Sequence, residues 1–206
     1  MTTELSTTSL KSLPPALAAV VKSWVDQNGI STELESVKGN APRDTIRACL
    51  SVFRYMASTE DRSYGAAVGR RLKMAEIKIK FSEAGSSNLP AGRAVSAQTT
   101  CEILVYKDMC NVFGTLHGGC AAYMTDICST SSIVALGIVN GVDATGVSQA
   151  MNLIWHKAVK TGAKLRIVSN TISQEGRIRV CRCEVRSGSE FDASLTDQGI
   201  KDVGWR

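Results

Sequence analysis

The chain has 206 residues, 44% of them hydrophobic and 21% charged, with 24 basic and 19 acidic side chains for a net charge of +5. That length suits one domain with a sizeable core, or one domain plus an extension, and the composition excludes disorder along the whole chain. No apolar run approaches the ~20 residues of a membrane span, and dispersed basic residues without an aromatic–basic signature disfavour nucleic acid as a partner.

Met1 to Leu10 is Thr/Ser-rich and lacks the basic-then-apolar order of a secretory signal. It is poor in acids, as a mitochondrial presequence would be, but holds no arginine. Residues 13–28 read as a helix, with Leu13, Leu17, Val20, Val21, Trp24 and Val25 at helical spacing, Pro14-Pro15 at its start and Asn28-Gly29 at its stop. The polar stretch Ser31 to Asn40 reads as a loop. A second helix is expected from Pro42 to Ala57, with Ile46, Cys49, Leu50 and Phe53 on one face. Together these form an N-terminal helical extension, residues 1–71, beside a main domain at 72–206.

From Leu72 the period changes to two. Ile77, Ile79 and Phe81 alternate with lysines as a strand, Ser86 to Gly92 reads as a turn, and Arg93 to Val105 reads as a second strand. A Gly-containing turn, Asn111 to Gly119, then leads into Cys120 to Leu136, apolar nearly all round and so a buried helix. Gly137 to Asp143 ends it. Strands are expected at Thr145–His156, Lys164–Gln174 and Arg177–Ser187, with a weaker one near Phe191–Lys201 and a tight hairpin at Glu175-Gly176. The order implies an α+β fold, one curved antiparallel sheet wrapped around a long central helix.

Seven cysteines (Cys49, Cys101, Cys110, Cys120, Cys128, Cys181 and Cys183) make an odd, irregularly spaced set, unlike a disulfide framework. Cys181 and Cys183 share one face of a strand but lack the further ligands of a metal site, because His117 and His156 are the only histidines. Buried, reduced thiols follow, and with them an intracellular compartment, cytoplasmic or mitochondrial.

The chemistry gathers at Asn111-Val112-Phe113-Gly114-Thr115-Leu116-His117-Gly118-Gly119. Glycines opening a hydrophobic helix leave a backbone N–H uncovered where the helix carries partial positive charge. A thioester carbonyl placed there would be polarised and its oxyanion stabilised, with the Asn111 amide as a second donor. Asp126 is the isolated acid of the helix, and a buried carboxylate costs several kcal/mol unless it has a task or a partner. Gly118 and Asp126 are eight residues apart, roughly 12 Å along a helix. One chain's carboxylate therefore cannot reach a carbonyl on the N-terminus of its own helix. Two antiparallel helices from two subunits solve this, which predicts a homodimer, or dimer of dimers, with shared sites.

The run Asn111…Leu116-His117-Gly118-Gly119…Asp126 resembles the signature of hotdog-fold thioesterases of the PaaI type, most similar to their eukaryotic acyl-coenzyme A thioesterase 13 branch. The resemblance covers about residues 74–204. It implies that Asn111 and Gly118 orient and polarise the thioester carbonyl, and that Asp126 from the partner subunit is general base or nucleophile. It further implies that Ser148, in Gly146-Val147-Ser148, helps hold the water and that His117 shapes the turn. Lys157, Lys160, Lys164 and Arg177 occupy the territory that binds the CoA moiety in that family. The chain departs from the pattern at Trp155-His156-Lys157-Ala158, where the family has a Ser-Pro-type corner.

The expected function is hydrolysis of acyl-CoA to free acid and CoA, with no metal or redox cofactor. The alternatives are a thioesterase for acyl chains on a carrier protein in specialised metabolism, a hotdog dehydratase, and a non-catalytic acyl-CoA-binding protein. The dehydratase pattern is missing around His117. No Gly-x-Ser-x-Gly elbow is present, which disfavours an α/β-hydrolase.

Overall fold

The computed structural model describes residues 13–58, 63–83, 92–174, 176, 178–187 and the backbone of 202–205. Over these the order is α1 (Pro15–Asn28), α2 (Ser31–Ser36), β1 (Lys38–Gly39), α3 (Arg43–Ser58), α4 (Ala66–Gly69), β2 (Lys73–Phe81) and β3 (Ala94–Leu104). After a 3-10 turn at Lys107–Met109 come α5 (Gly118–Asn140), β4 (Ser148–Met151), β5 (Lys164–Ser173), β6 (Arg179–Ser187) and β7 (Asp202–Trp205).

The strands make one sheet in the order β1-β2-β3-β5-β6-β7-β4. Only the short β1 pairs in parallel; the remaining ladders are antiparallel. Alternation dictates which face is covered: Leu165, Ile167, Ser169 and Thr171 of β5 all point inward and are buried. Cys181 and Cys183, two apart, are buried likewise.

The buried face of the sheet packs on α5. Met124, Cys128, Ala135 and Leu136 of α5 join Met74, Ile77, Ile103, Leu165 and Ile167 from the strands in one core. The same cluster takes in Ile46, Leu50 and Phe53 of α3, so the N-terminal helices share the core of the sheet. Each fully buried aliphatic side chain of this kind contributes about 1.5–3 kcal/mol. Although α5 is long and apolar enough by composition to cross a membrane, 67% of its apolar window is buried inside the fold.

The sequence places the element types well and several boundaries less well. The central helix begins at Gly118 rather than Cys120 and continues to Asn140, where Gly141 at φ +67 turns the chain. Glycine fits that left-handed position without strain. The stretch 31–40 is not a loop: it forms α2 and β1, because Ile30, Leu34 and Val37 bury against α3. Arg43 closes this piece by donating to the carbonyls of Val37 and Leu34. The strand expected over 145–156 is confined to β4. Residues 152–159 instead run past the start of α5, where the Leu116 N–H donates to the Val159 carbonyl. The expected strand at 191–201, most of the turn at 86–92, and Glu175 of the hairpin lie outside the described residues.

Candidate active site

The loop before α5 is held by its own polar groups. Asn111 Oδ1 accepts from the N–H groups of Phe113 and Thr115 at 3.0 and 3.2 Å and from Thr115 Oγ1 at 3.1 Å. The Asn111 N–H donates to the Thr115 carbonyl at 2.8 Å, and Gly114 sits at φ +72 in the bend. With Oδ1 occupied three times, Nδ2 is the half of the Asn111 amide left to donate.

His117 is the N-cap of α5. Its Nδ1 accepts from the Gly119 N–H at 2.9 Å, and its own N–H donates to the Met109 carbonyl. An accepting Nδ1 places the ring proton on Nε2. The imidazole thus caps the first turn of α5. Capping consumes the Gly119 N–H and the Ala121 N–H returns to the His117 carbonyl, while among the described residues the Gly118 N–H has no hydrogen-bond partner. It is an uncovered donor at the positive end of a 23-residue helix. A Cβ at Gly118 would lie 3.6 Å from the Trp155 indole, so the unpredicted Trp155 flanks this donor. Its sequence signal was the Trp155-His156-Lys157 departure.

Asp126 lies two turns further along α5, half-buried rather than enclosed. Its Oδ1 accepts a hydrogen bond from Ser148 Oγ at the start of β4. The structure therefore brings Asp126 together with Ser148 and leaves them apart from Asn111, His117 and Gly118, which gather at the helix N-terminus. Neighbouring hydroxyls turn inward: Ser129 and Thr130 donate to the Asp126 carbonyl, and Ser131 meets Thr99. They pack the helix and do not face the carboxylate.

A cavity of about 410 Å³ adjoins the first turn of α5, lined by Leu116, Ala121, Trp155, Lys157 and Val159 among others. Of the cations expected at the CoA end, Lys157 borders this cavity and is exposed, and Lys160 is exposed beside Thr115, with which it forms a β-bridge. Lys164 is ion-paired with Glu102 at 2.7 Å across β3 and β5. Arg177 lies outside the described residues. His156 is an exposed residue of the cavity rim.

Residues 113–190 match the thioesterase superfamily model. The acyl-coenzyme A thioesterases 13 of Homo sapiens and Pongo abelii are each 31% identical over 81 residues, 39% of this chain and 55% of theirs. The chain therefore spans about half the length of the curated relatives it matches. In fold it is similar to the crystal structures of thioesterase superfamily member 2 from zebra fish, at TM-score 0.52 and 21% identity, and from Mus musculus, at 0.50 and 18%. These alignments cover 77% of this chain and 94% and 92% of the other two. Sequence pattern, central helix and matched segment agree: residues 113–190 are similar to the thioesterase superfamily, and the fold is the hotdog fold.

Proposed function

We propose that the protein hydrolyses acyl-CoA thioesters to the free acid and CoA, in sites shared between two copies of the chain. The observation that carries this reading is the Ser148–Asp126 hydrogen bond, set two helical turns from the open Gly118 N–H. A carboxylate fixed by a hydroxyl is equipped to take a proton from water, and an unpartnered N–H at a helix N-terminus is equipped to receive an oxyanion. The name of the curated relatives supplies the class of ester.

In this mechanism the thioester oxygen rests against the Gly118 N–H, with Asn111 Nδ2 as second donor. Asp126 of the other copy removes a proton from a water that Ser148 helps to hold, and the water oxygen attacks the carbonyl carbon. The tetrahedral intermediate collapses with cleavage of the C–S bond, and the proton on Asp126 passes to the departing sulfur. Lys157 and Lys160 are the exposed cations placed to meet the phosphates of CoA.

Sharing follows from the helix rise of ~1.5 Å per residue, which keeps Gly118 and Asp126 of one chain about 12 Å apart. An edge for the second copy is available. Among the described residues β4 pairs only with β7, its four residues are exposed, and Val147 and Ile154 on either side add exposed apolar surface.

The test is release of free thiol from a panel of acyl-CoA esters, run beside the same acyl groups on a carrier protein. Release from the CoA esters is expected. Release from the carrier-bound esters alone would replace CoA by a carrier, and release from neither would overturn the reading.

A further inference from the structure

The N-terminal extension reaches the same helix face as Asp126. Tyr64, in the turn leading into α4, is 83% exposed. Its ring nevertheless meets that of Tyr123 edge-on, with centroids 5.7 Å apart and planes at 74°, a favoured aromatic geometry. Tyr123 is three residues before Asp126 on α5, and side chains at that spacing are surface neighbours, about 5–6 Å apart at Cβ.

Two glycines allow the contact. A Cβ on Gly65 would stand 2.5 Å from Tyr123 Cζ, and one on Gly69 would stand 2.8 Å from its hydroxyl. Gly65 also occupies φ +70, a conformation that favours glycine. The Tyr123 ring is therefore seated on the backbone of the extension. Burial there, reinforced by Cys128, Cys120, Asp126 and Tyr64, pushes its phenol up and keeps it neutral.

Packing accounts for Tyr123, which is half-buried. It does not account for Tyr64, whose ring is held in place yet leaves most of its surface uncovered. That surface adjoins Tyr123, which is one helical turn from Asp126 on α5.

We propose that Tyr64, braced by Tyr123, is a specificity-determining wall for the acyl chain, so that the extension and not only the hotdog domain selects the substrate. The inference rests on the acyl-CoA reading above. The acyl tail runs along α5 from the thioester at Asp126 toward the Tyr64 ring, and the tail recognised is an apolar one long enough to reach the ring.

Binding of non-hydrolysable thioethers, S-octyl-CoA and S-ethyl-CoA, to the full chain tests this without depending on turnover. Tyr64→Ala is expected to weaken S-octyl-CoA by about tenfold, the scale of two buried methylenes, and to leave S-ethyl-CoA unchanged, with a small fall in the thermal unfolding temperature from the lost ring contact. Tyr64→Phe keeps the ring and restores the preference for the longer tail. Equal affinities of Tyr64→Ala and the unsubstituted chain for S-octyl-CoA would overturn the wall and leave the acyl-CoA reading intact. An equal loss for both thioethers would also overturn it, by showing a structural role. If the unsubstituted chain bound neither thioether, the wall and the acyl-CoA reading would fall together.

Discussion

Ser148 Oγ donates to Asp126 Oδ1 within one chain, tying the first residue of β4 to the middle of α5. The bond joins an edge strand to the central helix and leaves Asp126 Oδ2 for the water of the proposed mechanism. Asp126→Asn removes the proposed base, and a general base typically contributes 10²–10⁴-fold. The expected result is a fall in kcat of about that size, with S-octyl-CoA still bound. Ser148→Ala removes one hydrogen bond to a charged group, worth about 1.5–3 kcal/mol. Its kcat should drop by about 10- to 100-fold, less than for Asp126→Asn.

The open donor at Gly118 can be deleted with little disturbance of the helix. Gly118 is the first residue of α5, a position where proline is tolerated. His117 is already extended at ψ 132, as a residue before proline prefers to be. Gly118→Pro should therefore keep the helical circular dichroism signal and lower kcat by about 10²–10³-fold, the usual loss for one oxyanion donor. A variant that folds and turns over at the original rate would show that the carbonyl rests elsewhere.

Cysteine reactivity follows burial. Cys49, Cys101, Cys128, Cys181 and Cys183 are buried, and Cys110 and Cys120 are partly exposed. Desolvation pushes the Cys49 thiol up to about 12, and it raises the Cys120 thiol as well. Since thiolate is the reactive form, iodoacetamide at pH 8 should label Cys110 before Cys120. The other five should react only in denaturant, a ladder that peptide mass spectrometry reads directly.

Much of this arrangement could be read before any coordinates. Period-two alternation marked β2, a run rich in Thr, Val and Ile marked β3, and strand-like runs marked β5 and β6. The all-round apolar run marked α5 as a buried helix. The misplacements have local causes. Ser31 to Asn40 looked like a loop because α2 is six residues long and buries little besides Leu34, with stability supplied by Arg43 and by an Arg54–Glu33 ion pair from α3. The Asn111 turn and His117 cap were legible as local chemistry. The Ser148 contact spans 22 residues and was suggested only by family resemblance. Tyr64 and Tyr123 left no trace, because their meaning lies in a ring contact and in the glycines Gly65 and Gly69 that Tyr123 rests against.

A pH effect on stability is expected at the Arg71–Asp108 pair, joined by two hydrogen bonds of 2.9 and 2.7 Å with the guanidinium stacked over Tyr106. The Arg71 hydrogen bonds hold the Asp108 carboxyl below its ordinary range. A depressed carboxyl contributes stability above its unfolded value of about 3.9, and that contribution is lost as pH falls through the folded value. Asp108→Asn should thus narrow its deficit in unfolding temperature below about pH 4. The deficit near neutrality should be small, because the pair is solvent-exposed.

Shared sites make a prediction that no single-chain mechanism can meet. In a dimer of the proposed kind, an Asp126→Asn chain retains Gly118 and a Gly118→Pro chain retains Asp126. A mixed dimer then has one site with both groups intact and one with neither. Random pairing of equal amounts gives half mixed dimers, so about a quarter of the sites should be active. Co-expression of the two inactive variants with distinct tags, followed by tandem purification, enriches the mixed dimer and should raise this to about one half. The signature is activity recovered from two dead chains. If the tandem-purified mixture stayed at the level of the separate variants, Gly118 and Asp126 would not meet across subunits, and the 12 Å between them would have to be bridged in some other way.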